Sequence, residues 1–187
     1  MTPMSLVPPP RSRAAPMLMA SALLVAAPAQ AQSQRSAGNF LATAIPLGTL
    51  ATELYRGDRD GARQFAATFM AATASTEVLK RVTDVQRPDE SNNLSFPSGH
   101  AARAFSSAAY VRHRHGLEAA APLYLAALYV GHTRVSARRH RWADIAGAAV
   151  VSEIAAAYLV RRAPDAPVSM LAVLDRGYVG VHVTLNW

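Results

Sequence analysis

Between Asn39 and Arg162 apolar residues recur mostly at helical spacing, and the period changes only past Pro164. Asn39 to Tyr55 reads as a helix containing Pro46. Arg56-Gly57-Asp58-Arg59-Asp60-Gly61 is a turn, with Asp60 expected to cap the next helix. That helix covers Ala62 to Val82, with Phe65, Phe69 and Ala72 on one face. Arg87 to Pro97 is polar and rich in Pro, Asn and Ser, so it is a loop, and Pro97 suits the first turn of the helix after it. Three more helices follow, from about Ser98 to His115, Leu117 to Val130 and Arg141 to Arg162, with Gly116 as the break between the first two. Beyond Pro164 and Pro167 the period is two. Val179, Val181, Val183 and Leu185 alternate with Gly180, His182, Thr184 and Asn186, and Asp175-Arg176-Gly177 is a turn. The expected fold is mainly α: a bundle of about five helices over residues 32–164, with a C-terminal β-hairpin over 165–187 packed on the same domain.

Residues 1–31 read as a leader and not as fold. Arg11 and Arg13 form a positive start, Ala14 to Ala27 is largely apolar, and Ala29-Gln30-Ala31 fits the small-x-small cleavage pattern. A secretory signal peptide cut after Ala31 implies a periplasmic or secreted protein. An uncleaved anchor is the alternative, although the run is short for a bilayer. Cleavage would remove two of the basic residues and lower the net charge from +7 to +5. With no Cys the mature chain has no disulfide to form and stands on its core.

Composition narrows the classes. A chain that is 51% hydrophobic and 17% charged is neither disordered nor collagen-like. The excess of cations could serve nucleic acid, a membrane surface or a phosphorylated substrate. Of the 19 basic residues, Lys80 is the one lysine and the rest are Arg. The two most apolar stretches are Ala119 to Val130 and Ile145 to Val160. The first is short for a span and the second carries Glu153, so a soluble domain, or one in peripheral contact with a membrane, is expected.

Three clusters hold the unusual polar residues. Lys80 and Arg87-Pro88 place two cations at a helix end and in the loop after it, where they could converge on one anion. Pro97-Ser98-Gly99-His100 stands at a helix start. Backbone N–H groups there lack intrahelical partners and the dipole favours negative charge. Ser98 adds a hydroxyl, Gly99 lets backbone approach closely, and His100 can hold a proton near neutral pH. In Thr133-Arg134-x5-His140-x3-Asp144, the last two residues share a face if their helix begins by residue 140. A carboxylate against one imidazole nitrogen would fix the tautomer and leave the other nitrogen free to attack. Taken singly, each cluster also has an ordinary reading as a dipole-favouring cation pair, a capping turn or a surface ion pair.

Together the clusters resemble the signature of the type 2 phosphatidic acid phosphatase family, whose site is shared with bacterial acid phosphatases and vanadium-dependent haloperoxidases. That signature runs Lys-x6-Arg-Pro, Pro-Ser-Gly-His, Ser-Arg-x5-His-x3-Asp, and Thr133 stands where the family has Ser. The tetrapeptide alone matches by chance at about 10⁻⁵ per start position. The resemblance implies a metal-independent phosphatase of lipid phosphates or small phosphomonoesters, working through a phosphohistidine on His140. It implies that Asp144 orients His140 and that His100 protonates the leaving oxygen. Lys80, Arg87, Ser98, Gly99 and Arg134 would bind the phosphoryl oxygens, with no cofactor, vanadate as an inhibitor and no nucleic-acid partner. A vanadium-dependent haloperoxidase and a non-catalytic binder of anionic lipid are the alternatives.

Three further features have bland readings. His113-Arg114-His115 is expected at a surface helix end, because i,i+2 residues do not share a face. His132 adjoins the third cluster and reads as a buried, satisfied histidine. Asp58-Arg59-Asp60-Gly61 lacks the ligands of a calcium loop and reads as a turn.

Overall fold

The computed structural model describes the backbone of residues 15–163, 168–175 and 178–185, with side chains from 32 to 163. Among the described residues there are five helices: α1 (Ala15–Tyr55), α2 (Arg59–Thr83), α3 (Gly99–His115), α4 (Leu117–Ser136) and α5 (Trp142–Leu159).

α3 lies at the centre and packs against all four others. Its sequence explains why. Ala101, Ala102, Ala104, Ser106, Ser107, Ala108 and Ala109 are buried on several sides of the helix, and a helix buried all round must be apolar or small all round. Side chains this short let four neighbours approach its axis. The larger core groups come mostly from those neighbours, as Ile45 from α1, Val130 from α4 and Ile145 from α5, joined by Phe105 of α3 itself. At the far end from the sequence clusters, Arg114 of α3 donates through Nε to Asp58 at 2.9 Å and through Nη1 to the Arg161 carbonyl at 2.9 Å.

Several boundaries move. Asp58, not Asp60, caps α2, accepting the Gly61 N–H at 2.8 Å. Asp60 falls inside the first turn of α2, while Asp58 stands just before the helix and is also gripped by Arg114. The helix expected from Asn39 is the second half of a longer one, because the Ala-rich stretch before it is helical from Ala15. α4 runs six residues past Val130. Gly131 does not stop it, since that glycine is a packing point: a Cβ there would lie 2.6 Å from Ile145 Cγ2. Pro97 precedes the cap residue Ser98 and so lies outside α3.

The hairpin expected to pack on the domain is not supported. The described backbone of Val168–Asp175 runs antiparallel to Tyr178–Leu185, but neither segment packs extensively on a helix. Its turn at 176–177 lies outside the described residues.

Among the described residues α5 is long and apolar enough to cross a membrane, with 28% of its 18-residue window buried. Glu153 does not break its apolar outer face. It is engaged inward by Arg112 at 2.9 Å, by His113 at 3.2 Å and by the Tyr124 hydroxyl. His113 and His115 are therefore not a plain surface end: they pair with different helices, His115 meeting buried Glu53 at 2.7 Å.

One close approach bears on the loop before α3. At Gly147 of α5 an added Cβ would sit 2.5 Å from Phe96 Cζ. Overpacking of this kind costs about 1–3 kcal/mol. Gly147→Ala is expected to lower the urea midpoint accordingly, and a midpoint equal to the wild type would contradict the contact.

Candidate active site

The three clusters lie at one end of the bundle. Lys80 is on the last turn of α2, Arg87 in the loop after it, Ser98 at the cap of α3, and Gly99 and His100 in its first turn. Arg134 is on the last turn of α4, His140 in the turn before α5, and Asp144 in the first turn of α5.

Direct contacts join them. The Ser98 N–H donates to the Asp144 carbonyl at 3.0 Å, tying the start of α3 to the start of α5. Lys80 Nζ lies so near Gly99 that a Cβ there would be 3.0 Å from it. Lys80 is buried beside Glu77, 3.5 Å away. Ser98 Oγ is fully buried with no hydrogen-bond partner and does not cap its own helix. The first N–H groups of α3 therefore keep their affinity for an anion.

His140 is 4% exposed, and its placement differs from the expectation. It lies ahead of α5, whose cap is Arg141, so it shares no helix face with Asp144. Its Nδ1 lies 2.8 Å from the Ser95 carbonyl and 3.4 Å from Asp144 Oδ2. A carbonyl only accepts, so Nδ1 carries the proton and Nε2 keeps its lone pair. Asp144 works one step back. Its Oδ2 accepts the Ser95 hydroxyl at 2.5 Å and the Arg141 N–H at 2.8 Å, the second being half of a capping box.

Ser95 was missed by sequence reasoning. It is buried and touches both partners, yet it sits among the Ser and Asn of a polar loop with no periodicity to single it out.

The electrostatics follow from burying cations together. His140 is pushed down to about 4, first by burial and then by the charge of Arg87, with Asp144 and the Ser95 bond opposing. His100 is also pushed down to about 4, by burial and then by Arg134, Arg103, His140 and Lys80. Burial lowers Lys80, with Glu77 opposing, and burial lowers Arg134. All the cluster cations thus bear on one or both histidines. Both imidazoles are neutral at pH 7.

Arg87 is held by its own loop, through Nε to Asn92 Oδ1 at 2.8 Å and Nη2 to the Leu94 carbonyl at 3.5 Å. Thr133 keeps its hydroxyl on the Val130 carbonyl at 2.7 Å. His132 is exposed, with its ring 6.4 Å from that of Trp142, so it is not the buried histidine expected. Among the described residues no three His, Cys, Asp or Glu side chains gather as a metal site would need.

Residues 61–167 match the PAP2 superfamily. The chain belongs to the PAP2 superfamily. The match begins in the first turn of α2 and takes in every cluster residue, leaving α1 outside it. The fold is similar to the crystal structure of LpxE from Aquifex aeolicus, with a TM-score of 0.59 and 23% identity over 70% of this chain and 85% of that one. No curated protein matches the chain.

The lowered histidines give a signed pH dependence. The unfolded chain takes up these protons near 6.5 and the folded one near 4, so stability falls as pH drops through that window. The ring resonances of His140 are expected to titrate near pH 4. A midpoint of 6 to 7 would refute the buried, cation-flanked setting.

Proposed function

We propose that the protein is a metal-independent phosphatase of lipid phosphates, with His140 as nucleophile. The observation that carries this is the fixed tautomer of a buried, neutral His140, under the charges of Arg87 and Lys80 and linked through Asp144 to the uncapped start of α3. His140 Nε2 attacks phosphorus in line, the N–P bond forms and the ester P–O bond breaks. His100 gives its proton to the departing oxygen. Water then attacks the phosphohistidine, His100 takes the water's proton, and orthophosphate leaves with Nε2 free again.

His100 is neutral in the free protein and must be protonated to act. A phosphate dianion among these cations reverses the local charge, so it raises the His100 pKa and brings the proton site into range. Phosphoryl transfer needs positioning and neutralisation of equatorial charge more than covalent help. Lys80, Arg87 and Arg134, with the Ser98 hydroxyl and the Gly99 amide, supply that charge and those donors in the proposed mechanism. No cofactor enters it.

A lipid substrate is supported by the outer surface. Leu125, Leu128 and Tyr129 on α4, and Trp142, Val150, Ile154 and Tyr158 on α5, are all exposed. Apolar exposure on this scale marks an interaction surface, and acyl chains are its natural neighbour in a lipid phosphatase. The leader read at residues 1–31 supports a location in the periplasm or outside the cell, and the exposed apolar surface supports a position against a membrane.

In mixed micelles, phosphatidic acid is expected to release phosphate faster than p-nitrophenyl phosphate does. His140→Ala should reduce release by a factor of about 10³ or more. Orthovanadate should inhibit and EDTA should leave the rate unchanged. Full activity in His140→Ala, or loss with EDTA, would overturn the mechanism. Bromide oxidation by peroxide with added vanadate, without phosphate release, would assign the site to haloperoxidase chemistry instead.

A further inference from the structure

Arg134 has five N–H donors, and three of them are already directed. Nε donates to Thr133 Oγ1 at 3.3 Å, Nη1 to Asn39 Oδ1 at 2.9 Å and Nη2 to the Arg35 carbonyl at 3.0 Å. The last two acceptors lie on α1, more than ninety residues away in sequence and outside the PAP2 match. α1 reaches them because residue 38 has no side chain. A Cβ on Gly38 would collide with Thr133 Oγ1 and sit 2.8 Å from Arg134 Nη2.

From this geometry we propose that Asn39 is a positioning residue: α1 completes the phosphate site by holding Arg134. The inference rests on the reading of Arg134 as a phosphate ligand. Each terminal nitrogen spends one N–H on α1 and keeps one, so the guanidinium is anchored to α1 while N–H donors remain for phosphoryl oxygens. A long side chain otherwise free to rotate would lose that entropy on each binding event. Held by α1, it has lost much of it beforehand.

The chemistry of residue 39 fits this role. Asn offers a neutral acceptor, so it orients the guanidinium without spending its charge. A carboxylate at the same place would hold Arg134 as firmly and would neutralise it. That difference separates positioning for phosphate from plain structural support.

The test uses the full-length protein in detergent and measures orthophosphate and orthovanadate binding by calorimetry, kcat and KM, and the thermal midpoint. Four variants are compared: Asn39→Ala, Asn39→Asp, Arg134→Ala and Asn39→Ala with Arg134→Ala. Asn39→Ala is expected to weaken orthophosphate binding and kcat/KM about tenfold. The double variant should be no worse than Arg134→Ala, because Asn39 acts through Arg134. Asn39→Asp should keep the thermal midpoint and lose orthophosphate affinity at least as strongly as Asn39→Ala. This isosteric variant also decides the matter should Asn39→Ala fail to fold.

Wild-type affinity in either Asn39 variant, tighter binding, or losses that multiply in the double variant would overturn the proposal. If the wild type binds orthophosphate and the cycle behaves as stated but no ester is hydrolysed, the phosphatase reading falls and the role of Asn39 stands. If the wild type binds no orthophosphate, the role of Asn39 falls with it.

Discussion

Asp144 is the residue on which the geometry depends. It is 2% exposed, and a carboxylate this deep must be satisfied. The donors on it are dipoles and not full cations: the Ser95 hydroxyl and the Arg141 N–H on Oδ2, with His140 Nδ1 farther off at 3.4 Å. Its own carbonyl takes the Ser98 N–H. One buried residue therefore fixes the start of α3, the start of α5 and the loop carbonyl that sets the His140 tautomer. Because neutral donors take up its oxygen, Asp144 need not draw a proton onto His140. A tight Asp144–His140 pair would favour the imidazolium, which cannot attack phosphorus. In the proposed mechanism this distance serves chemistry: Asp144 is near enough to stabilise the charge that would develop on His140 and not so near as to create it beforehand.

The cations raise the opposite problem. Lys80 and Arg134 are buried, and with Arg87 they act on two histidines that burial has already made hard to charge. Such a cluster repels itself, and the fold must hold it together by other means. The means are the small-residue packing around α3 and the anchoring of each cation from behind, Arg87 by Asn92 and Leu94, Arg134 by α1, Lys80 by Glu77. In the proposed mechanism an anion entering the cluster replaces repulsion by attraction and favours a protonated His100, so that binding and acid catalysis become one electrostatic event.

What could be read in the sequence was whatever chemistry confines to a residue type at a fixed spacing. The helical period located five helices, and the three clusters located residues that the fold gathers at one end of the bundle, because a cation, a small residue at a helix start and a histidine each carry chemistry that few other residues share. Ser95 was illegible for the converse reason. Its carbonyl does the orienting, and every residue has a carbonyl. The Arg134 contacts with Arg35 and Asn39 span most of the chain and follow no local pattern. The spacing of His140 and Asp144 misled: four residues suit one helix face, yet α5 starts at Trp142 and leaves His140 in the turn before it.

The single lysine shows how tightly these constraints close. The chain uses Arg at every other basic position, so the lysine at 80 needs a physical reason. Its ammonium rests against the first turn of α3, where even the Cβ absent from Gly99 would come within 3.0 Å of Nζ. A compact, three-donor cation fits in that space; a planar guanidinium is wider and needs a fork of acceptors. The same burial lowers the Lys80 pKa, and Glu77, 60% exposed at its side chain, counters this from the rim. Being lodged in solvent, Glu77 is weakly felt as a partner, so it supports the charge without cancelling it. Lys80, Gly99 and Glu77 thus act together: the glycine makes room, the lysine puts a positive charge beside the uncapped helix start, and the glutamate supports that charge from the rim, an arrangement that suits the phosphate proposed to bind there.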